Sequence, residues 1–326
     1  MRVLVTGATG FLGGALIRHL RDRGFETIAV GRNAERCHLL AEAGFTTLRA
    51  DLSQSDAQLA KRIGPLDAVV HCAALSSPWG RLAAFRAANV EGTRNALDLA
   101  AALGARRFVN ISSPTVYFEL KDKVRVAESA ALPRPINAYA RTKAEAERLV
   151  LSRLELGPVN LRPRGIYGAG EETLLPRLLA AARRGPLPLL RNGVASIDLT
   201  HVSDVVAAIE AALGPDPVLA GETFNISGGE TVAVREIVER TCTALSVPVR
   251  WRRVPFHPAL FAARLAFLAS LARPAPKEPP VTPYTLGLFA FRQSLDITKA
   301  RQMLGWQPRI PFEQGLALTL QGRGAS

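Results

Sequence analysis

"VLVTGATGFLGGALIRHL", residues 3–20, runs a short β-forming segment, a glycine-rich turn and a helical segment together without a break. Gly7, Gly10 and Gly13 keep a GxxGxxG spacing across the strand-to-helix junction. At such a junction the first glycine permits a tight turn, the second lets backbone approach a pyrophosphate, and the third lets the helix pack on the sheet. Phosphates would sit at the helix N-terminus, where unpaired N–H groups and the helix dipole favour anions. The stretch therefore reads as a dinucleotide cradle built from Gly7, Thr9, Gly10, Phe11, Leu12 and Gly13.

Downstream, β-rich runs at Val3–Thr6, Thr27–Val30, Thr47–Arg49, Ala68–His71, Phe108–Ile111 and Val159–Leu161 alternate with helical stretches near 13–22, 33–43, 81–103 and 139–156. Apolar strands alternating with helices imply a parallel sheet covered on both faces. A helix at 203–213 and a strand at 222–227 return to it. The expected fold class is α/β, a Rossmann-type doubly wound parallel sheet with a smaller, discontinuous α/β C-terminal substrate domain. Residues 1–165 plus about 195–227 form the dinucleotide-binding domain in this reading; about 166–194 plus 228–326 form the other. The second part would hold an amphipathic helix at 173–184, a Pro/Gly-rich stretch at 186–197, and helices near 232–245, 258–272 and 296–304. The segment 274–283, with five prolines, reads as a stiff loop.

The composition, 48% hydrophobic and 21% charged, is that of a folded globular protein. Net charge is +13, and 41 basic residues are spread from Arg2 to Arg323. A nucleic-acid binder would concentrate that charge on one face, so no nucleic-acid partner is expected. The excess favours small anionic ligands such as a phosphorylated cofactor. Cys37, Cys72 and Cys242 are widely spaced, with no CxxC, which suggests free thiols in a reducing compartment and no metal site. The chain enters a strand at once, and its most apolar helical stretch, 258–272, is short and interrupted by Arg264. A cytoplasmic protein with no integral membrane span is expected.

After the second strand, "TIAVGRNAER" places Gly31-Arg32 where an acidic residue would accept the ribose 2′-hydroxyl of NAD, with Arg36 a turn further on. Arg there would welcome the 2′-phosphate of NADP, so NADP(H) is favoured over NAD(H), although an Arg can also merely stack on adenine. Asp51 and Leu52 are candidate adenine contacts, and Ala73 and Ala74 in "HCAA" a close backbone wall.

The chemistry lies further along. "VNISSPTVYF" (109–118) puts Ser113 beyond a strand's carboxyl end, where a doubly wound sheet opens its ligand crevice. "INAYARTKAEAERLV" (136–150) carries Tyr139 and Lys143 one helical turn apart, and Asn89 sits in "AANVEGTRN". Read by itself, YxxxK is also an ordinary helix face, and Lys143 is equally spaced to pair with Glu147. With the TGxxGxxG turn, Asn89, Ser113, Tyr139 and Lys143 in this order, and "LRPRGIYGAG" (161–170) and "LDITKARQMLGWQP" (295–308) after them, the chain resembles an extended short-chain dehydrogenase/reductase over nearly its whole length. The resemblance implies Tyr139 as general acid or base and Ser113 as hydrogen-bond donor to the substrate oxygen. It also implies Lys143 on the nicotinamide ribose, Asn89 anchoring a water leading to Lys143, and Pro163 beside the nicotinamide. Lys143 and the oxidised nicotinamide should together lower the pKa of the Tyr139 phenol. Asn89 could instead be a polar residue of helix packing.

Three departures narrow the branch. Pro114-Thr115 replace the Asp-Glu pair of the 4,6-dehydratases, and Ile197 stands before Asp198 where sugar-nucleotide members carry a phosphate-gripping Arg. "VYF" (116–118) replaces VYG. "HCAALSSPWG" (71–80) and the C-terminal stretch resemble the 3β-hydroxysteroid dehydrogenase-like branch and its 2-alkyl-3-oxoalkanoate reductases. The implied reaction interconverts a secondary alcohol and a ketone on a hydrophobic substrate, a β-keto acid or a sterol-like molecule. A nucleotide-sugar 4-epimerase and a non-catalytic dinucleotide-binding protein are the alternatives. The apolar 258–272 helix could line a greasy pocket, make a peripheral membrane contact, or simply complete a core. The resemblance also implies a homodimer through the helices near 81–103 and 139–156.

Overall fold

The computed structural model describes all residues except 57, 172–173, 215, 274–276 and 322–326, with side chains at 174–175 also outside the description. Residue 173 of the expected 173–184 helix and residues 274–276 of the expected proline-rich loop thus lie outside the described residues. The first five strands are β1 (Arg2–Thr6), β2 (Glu26–Gly31), β3 (Thr46–Arg49), β4 (Ala68–His71) and β5 (Arg107–Ile111). With the strands Pro158–Pro163 and Glu222–Ile226 they form one seven-stranded parallel sheet. Starting from the Glu222–Ile226 edge, the order runs through Pro158–Pro163, β5, β4 and β1 to β2 and β3.

Side chains alternate between the two faces of each strand, and both faces are covered. Val3 and Val5 pack with Leu16, Ile17 and Leu20 of α1 (Phe11–Asp22) and with Val205 and Ile209 of the Val202–Ala212 helix. Leu4 faces the other way, toward Leu97 and Ala100 of the Gly92–Ala102 helix and toward Val150. This double cover is the expected Rossmann-type arrangement. The chain goes from β1 to β3 on one side and then crosses to β4 on the other. A crevice consequently opens beyond the carboxyl ends of β1 and β4, the topological switch point.

The helix expected over 81–103 is interrupted. Leu82–Arg86 and Gly92–Ala102 are α-helical, but Ala87–Glu91 between them is a π-helical turn. Such a bulge adds a residue to the turn and redirects side chains, here around Asn89. The helix expected over 139–156 ends earlier, as Ala138–Leu151 with Ser152 at its C-cap, followed by a 3-10 turn at Leu154–Leu156.

A four-stranded sheet lies beside the large one, in the order Thr231–Ala233, Ser196–Asp198, Arg292–Leu295 and Lys123–Val126. The stretch 186–197, read as merely Pro/Gly-rich, also contributes Leu187–Leu189, paired parallel with Trp251–Arg253. The expected loop 274–283 gives way at Pro283, which opens the helix Pro283–Leu288 behind a Thr282/Thr285 capping box. A proline at the first helical position loses no hydrogen bond, so it starts a helix as readily as it blocks one. No helix among the described residues is long and apolar enough to cross a membrane.

Candidate active site

Two glycines of the first turn are enforced by backbone packed against them. Gly7 has φ +68°, and a Cβ there would stand 2.7 Å from the Ala73 amide nitrogen. A Cβ on Gly13 would come within 2.3 Å of the Gly7 carbonyl oxygen. Gly10 is the N-cap of α1 and brings no side-chain cap of its own. The result is a bare-backbone cradle at an uncapped helix N-terminus beside the wall formed by Ala73, which fits the diphosphate of a dinucleotide.

At the end of β2, a Cβ on Gly31 would lie 2.4 Å from Thr9 Cγ2, so this position carries no side chain for steric reasons. The ionisable groups of this corner include Arg32, Arg36, Asp51 and Arg49, whose Nε donates to the Arg32 carbonyl at 3.3 Å. Arg32 Nη1 lies 3.8 Å from Asp51 Oδ2, both side chains being exposed, and Arg36 Nη1 donates to the Thr9 carbonyl at 3.2 Å. Burial opposes ionisation of Asp51, but the Ser53 amide and hydroxyl, with Arg32, hold its carboxyl below the usual range. Leu52 is buried in the core and its carbonyl accepts from Asn95 Nδ2 at 2.8 Å.

Ser113, Tyr139 and Lys143 converge at the carboxyl end of β5. Ser113 caps the 3-10 turn Pro114–Tyr117, and its Oγ lies 2.9 Å from Thr115 Oγ1. Tyr139, half-buried, enters the Ala138–Leu151 helix in its first turn and packs near the Phe85 ring, centroids 6.3 Å apart. Burial pushes its phenol pKa up, against the opposing hydrogen bonds of the Ser113 and Ser76 hydroxyls. In the protein alone burial outweighs these hydrogen bonds, whereas the expected lowering requires Lys143 together with the oxidised nicotinamide. Lys143 is 2% exposed and its Nζ donates to the Ile111 carbonyl at 2.6 Å. Burial draws its pKa down to about 8, with Glu147 and Cys72 pulling the other way.

Glu147 does not pair with Lys143. Its two carboxylate oxygens accept from Arg162 Nε and Nη2 at 2.7 and 2.6 Å. Arg162 also donates to the Tyr117 hydroxyl, which donates to Asn225 Oδ1 at 3.1 Å. Pro163, next to Arg162, is buried at the end of its strand, in register with Ile226.

Asn89 is 1% exposed and engaged at both ends of its amide. Its Oδ1 accepts from the Leu75 amide at 2.7 Å, while Nδ2 donates to the Leu75 carbonyl and to Thr142 Oγ1. The π-turn thereby ties the loop after β4 to the Tyr139 helix. Behind it, His71 sits between Thr6 Oγ1 at 2.8 Å and Thr93 Oγ1 at 3.1 Å, its pKa drawn down to about 3 by burial and by Lys143. Ala74 is exposed at the crevice. Cys72 is no nucleophile, because burial raises its thiol pKa to about 12.

Residues missed at the sequence level complete the floor. Tyr284 OH lies 3.3 Å from Thr115 Oγ1, and its ring meets Phe118 edge-on at 4.8 Å. A Phe118 ring in place of the usual glycine of VYG is thus accommodated by the C-terminal part of the chain. Tyr284, Pro283 and Asn137 line an open cavity of about 380 Å3 together with Phe267 and Leu268 of the Phe256–Ala272 helix. Trp79 Nε1 donates to Ser270 Oγ of this helix at 2.7 Å, pinning it to the loop after β4. The helix therefore lines a pocket, and it also leaves Phe261 and Leu265 exposed. Asp198 is buried, which raises its carboxyl pKa against Arg164 and Ser227; it lies 3.4 Å from Arg164 Nε and accepts from Ser227 Oγ at 2.5 Å. Among the described residues no cluster of His, Cys, Asp and Glu could hold a metal ion.

Known proteins resemble this chain in sequence and fold. The 2-alkyl-3-oxoalkanoate reductase of Stenotrophomonas maltophilia is 33% identical, over 97% of each chain. A 4-hydroxy-2-methyl-3-oxo-4-farnesyl-3,4-dihydroquinoline-1-oxide ketoreductase of Stigmatella aurantiaca is 30% identical over 100% of this chain and 98% of its own. Among solved structures, MoeE5 in complex with UDP-glucose and NAD superposes with a TM-score of 0.77 over all of both chains, at 26% identity. The profile of the NAD dependent epimerase/dehydratase family matches residues 3–227, which span the cradle, Ser113, Tyr139 and Lys143. The chain belongs to that family as an extended short-chain dehydrogenase/reductase, an NAD(P)-dependent oxidoreductase acting on alcohol and ketone groups.

Proposed function

We propose that this protein interconverts a secondary alcohol and a ketone on a hydrophobic substrate of β-keto acid or sterol-like type, using NADP(H) in preference to NAD(H). The observation that carries the reading is the convergence of Ser113 and Tyr139 beyond the carboxyl end of β5, next to a cavity lined by Asn137 and Tyr284, with Lys143 buried one turn along the Tyr139 helix and bonded to the Ile111 carbonyl. The bound nicotinamide supplies or accepts the hydride. Ser113 donates to the substrate oxygen as charge develops on it, and Tyr139 gives that oxygen its proton in reduction or removes it in oxidation. A phenol whose pKa is raised stays protonated at neutral pH, the state ketone reduction requires. Lys143 and the cradle glycines hold the cofactor, Asp51, Leu52, Ala73, Ala74 and Pro163 flank it, and Arg32 with Arg36 supports the choice of NADP. Asn89 keeps the Tyr139 helix in register with the crevice wall.

Residues about 166–194 and 228–326 would form the substrate side, and the helical segments near 81–103 and 139–156 would pair with their copies in a homodimer, which light scattering at micromolar concentration tests. Tyr139→Phe should abolish turnover of a ketone panel while cofactor binding survives. More than a few per cent residual rate would remove Tyr139 from its role. The likeness to MoeE5 keeps a nucleotide-sugar 4-epimerase as the second reading. Against it stands Ile197, an apolar residue where a phosphate-gripping Arg would be needed. Tightly retained dinucleotide with no net NADPH consumption on any ketone would favour the epimerase.

A further inference from the structure

We propose that His71 is a positioning residue for the reaction: as the neutral Nε2–H tautomer it links the cofactor wall at Ala73, through Thr93 and Asn89, to the helix that carries Tyr139. The inference rests on the oxidoreductase reading above, which gives that helix its chemistry. Thr6 and His71 are register partners and the last residues of β1 and β4, at the edge of the crevice. The sense of each hydrogen bond follows from the protons available. The Thr93 hydroxyl donates to the Asn89 carbonyl at 2.7 Å, so its oxygen accepts from His71 Nε2, 3.1 Å away. With its proton on Nε2, His71 accepts at Nδ1 from the Thr6 hydroxyl at 2.8 Å. The Thr6 oxygen in turn accepts from the Ala73 amide at 3.3 Å. Each hydroxyl in this row gives one hydrogen bond and takes one, all in the same direction.

Both ends of the row touch the site. The Ala73 amide that Thr6 accepts from is the same nitrogen that a Cβ on Gly7 would meet at 2.7 Å, so it belongs to the dinucleotide wall. At the far end, the Asn89 amide holds Leu75 by its N–H and its carbonyl and donates to Thr142 Oγ1, three residues after Tyr139 and one before Lys143. Thr6, His71, Asn89, Thr93 and Thr142 are each 1% exposed or less, so no water competes for these bonds. The plainer alternative is a core histidine that fills space. The other residues of β4, Ala68, Val69 and Val70, are apolar and buried, and an aliphatic side chain at position 71 would extend that pattern with no polar group to desolvate. A ring with both nitrogens matched instead fixes two strand ends, the π-turn and the Tyr139 helix to one geometry. Burial and nearby Lys143 keep that ring neutral. A displacement of about 1 Å at a reacting group can cost about a hundredfold in rate, so a rigid link from cofactor wall to general acid bears on kcat.

The test follows NADPH oxidation in single turnovers with a medium-chain 3-keto ester, alongside NADPH affinity and thermal unfolding of the full-length protein. Thr93→Val keeps the shape and removes the hydroxyl. It should slow hydride transfer about tenfold or more while NADPH affinity stays within about threefold, and Thr93→Ser should restore most of the rate. His71→Leu should slow the step as much. His71→Gln, which keeps a donor toward Thr93 and an acceptor toward Thr6, should lose less. Because His71 acts through Thr93, the double variant Thr93→Val/His71→Leu should be little slower than either single one. Nitrogen NMR spectra of the histidines, with the His71 signal identified by its loss in His71→Gln, should show the neutral Nε2–H form at neutral pH. An unchanged rate in Thr93→Val, losses that multiply in the double variant, or an Nδ1–H or doubly protonated ring overturns the positioning role and leaves the oxidoreductase reading standing. Reduction of no ketone in the wider panel by the wild type overturns that reading, and the role with it.

Discussion

Lys143 and Glu147 stand one turn apart on the same helix and are almost equally buried, yet the fold treats their charges in opposite ways. Glu147 is matched by both forks of Arg162, which in turn reaches Tyr117, so its charge is neutralised by a planar partner. Lys143 has one backbone carbonyl and no carboxylate, and its pKa falls to about 8 as a result of burial. A buried charge with a satisfied partner holds structure together. A buried charge left to a single neutral acceptor costs stability and is kept where a ligand completes it. The pairing of Glu147 with Arg162 also keeps Lys143 free of the carboxylate four residues on, and that is how the helix presents the lysine toward the crevice.

The strongest way to break this comparison is to remove each charge separately. Glu147→Gln strands Arg162 and should cost about 3–5 kcal/mol of unfolding free energy, while replacing Glu147 and Arg162 together with apolar residues should recover most of it. Lys143→Met should cost no stability, and activity should fall by about a hundredfold or more. Denaturant unfolding and single-turnover kinetics separate the two variants. If Lys143→Met unfolds as readily as Glu147→Gln, the lysine is a structural charge and the comparison fails.

A pH titration gives the next largest effect. Below pH 8 Lys143 is mainly cationic and above it mainly neutral, since its pKa lies at about 8. The Tyr139 pKa is raised, so the phenol remains protonated through that range. The kcat/KM for ketone reduction should therefore fall above about pH 8, at first through Lys143 alone. Stability moves the other way. The unfolded chain binds the lysine proton more tightly than the folded one, so this group's contribution to stability grows from pH 8 upward toward the ordinary lysine value of about 10.4 and is lost as pH falls. Glu147 raises the Lys143 pKa, so Glu147→Gln should shift the activity limb to lower pH. A limb at pH 10 or beyond would mean that burial does not govern this lysine.

The comparison also shows what a sequence makes legible. The cradle and the Tyr139–Lys143 spacing are local, set by three or four residues of separation, and they could be read from 3–20 and 136–150 directly. The large sheet was legible because its central strands, such as β1 and β4, are apolar and buried on both faces. The small sheet was not, because strands of three or four residues such as Ser196–Asp198 show no periodicity and are held by partners nearly a hundred positions away. Pairs joined only by the tertiary fold were equally hidden: Arg162 from Glu147, Thr142 from Asn89, and Tyr284 from Thr115. The π-turn at Ala87–Glu91 had no signal at all, since its residues are ordinary helix formers and tertiary contacts select the wider turn. Long-range polar contacts thus complete a site whose chemistry was announced locally.

The smallest effect concerns the helix that carries both charges. Asn137 caps it, with Oδ1 accepting from the Ala140 amide at 2.8 Å, and its extended backbone turns the chain into the first helical residue. Asn137→Ala removes the cap and should cost about 1 kcal/mol, far less than breaking the Glu147–Arg162 pair and independent of it. Tyr139 lies two residues beyond the cap, so fraying of this turn should move the phenol and lower kcat a few-fold, with little change in cofactor affinity at Lys143 a full turn deeper. Asn137→Asp and Asn137→Ser keep a side-chain acceptor and should restore both stability and rate. If Asn137→Ala loses the expected stability while kcat stays at the wild-type value, the cap does not position Tyr139. The phenol is then held by the Phe85 ring and the Ser113 hydroxyl, and the first turn serves the helix alone.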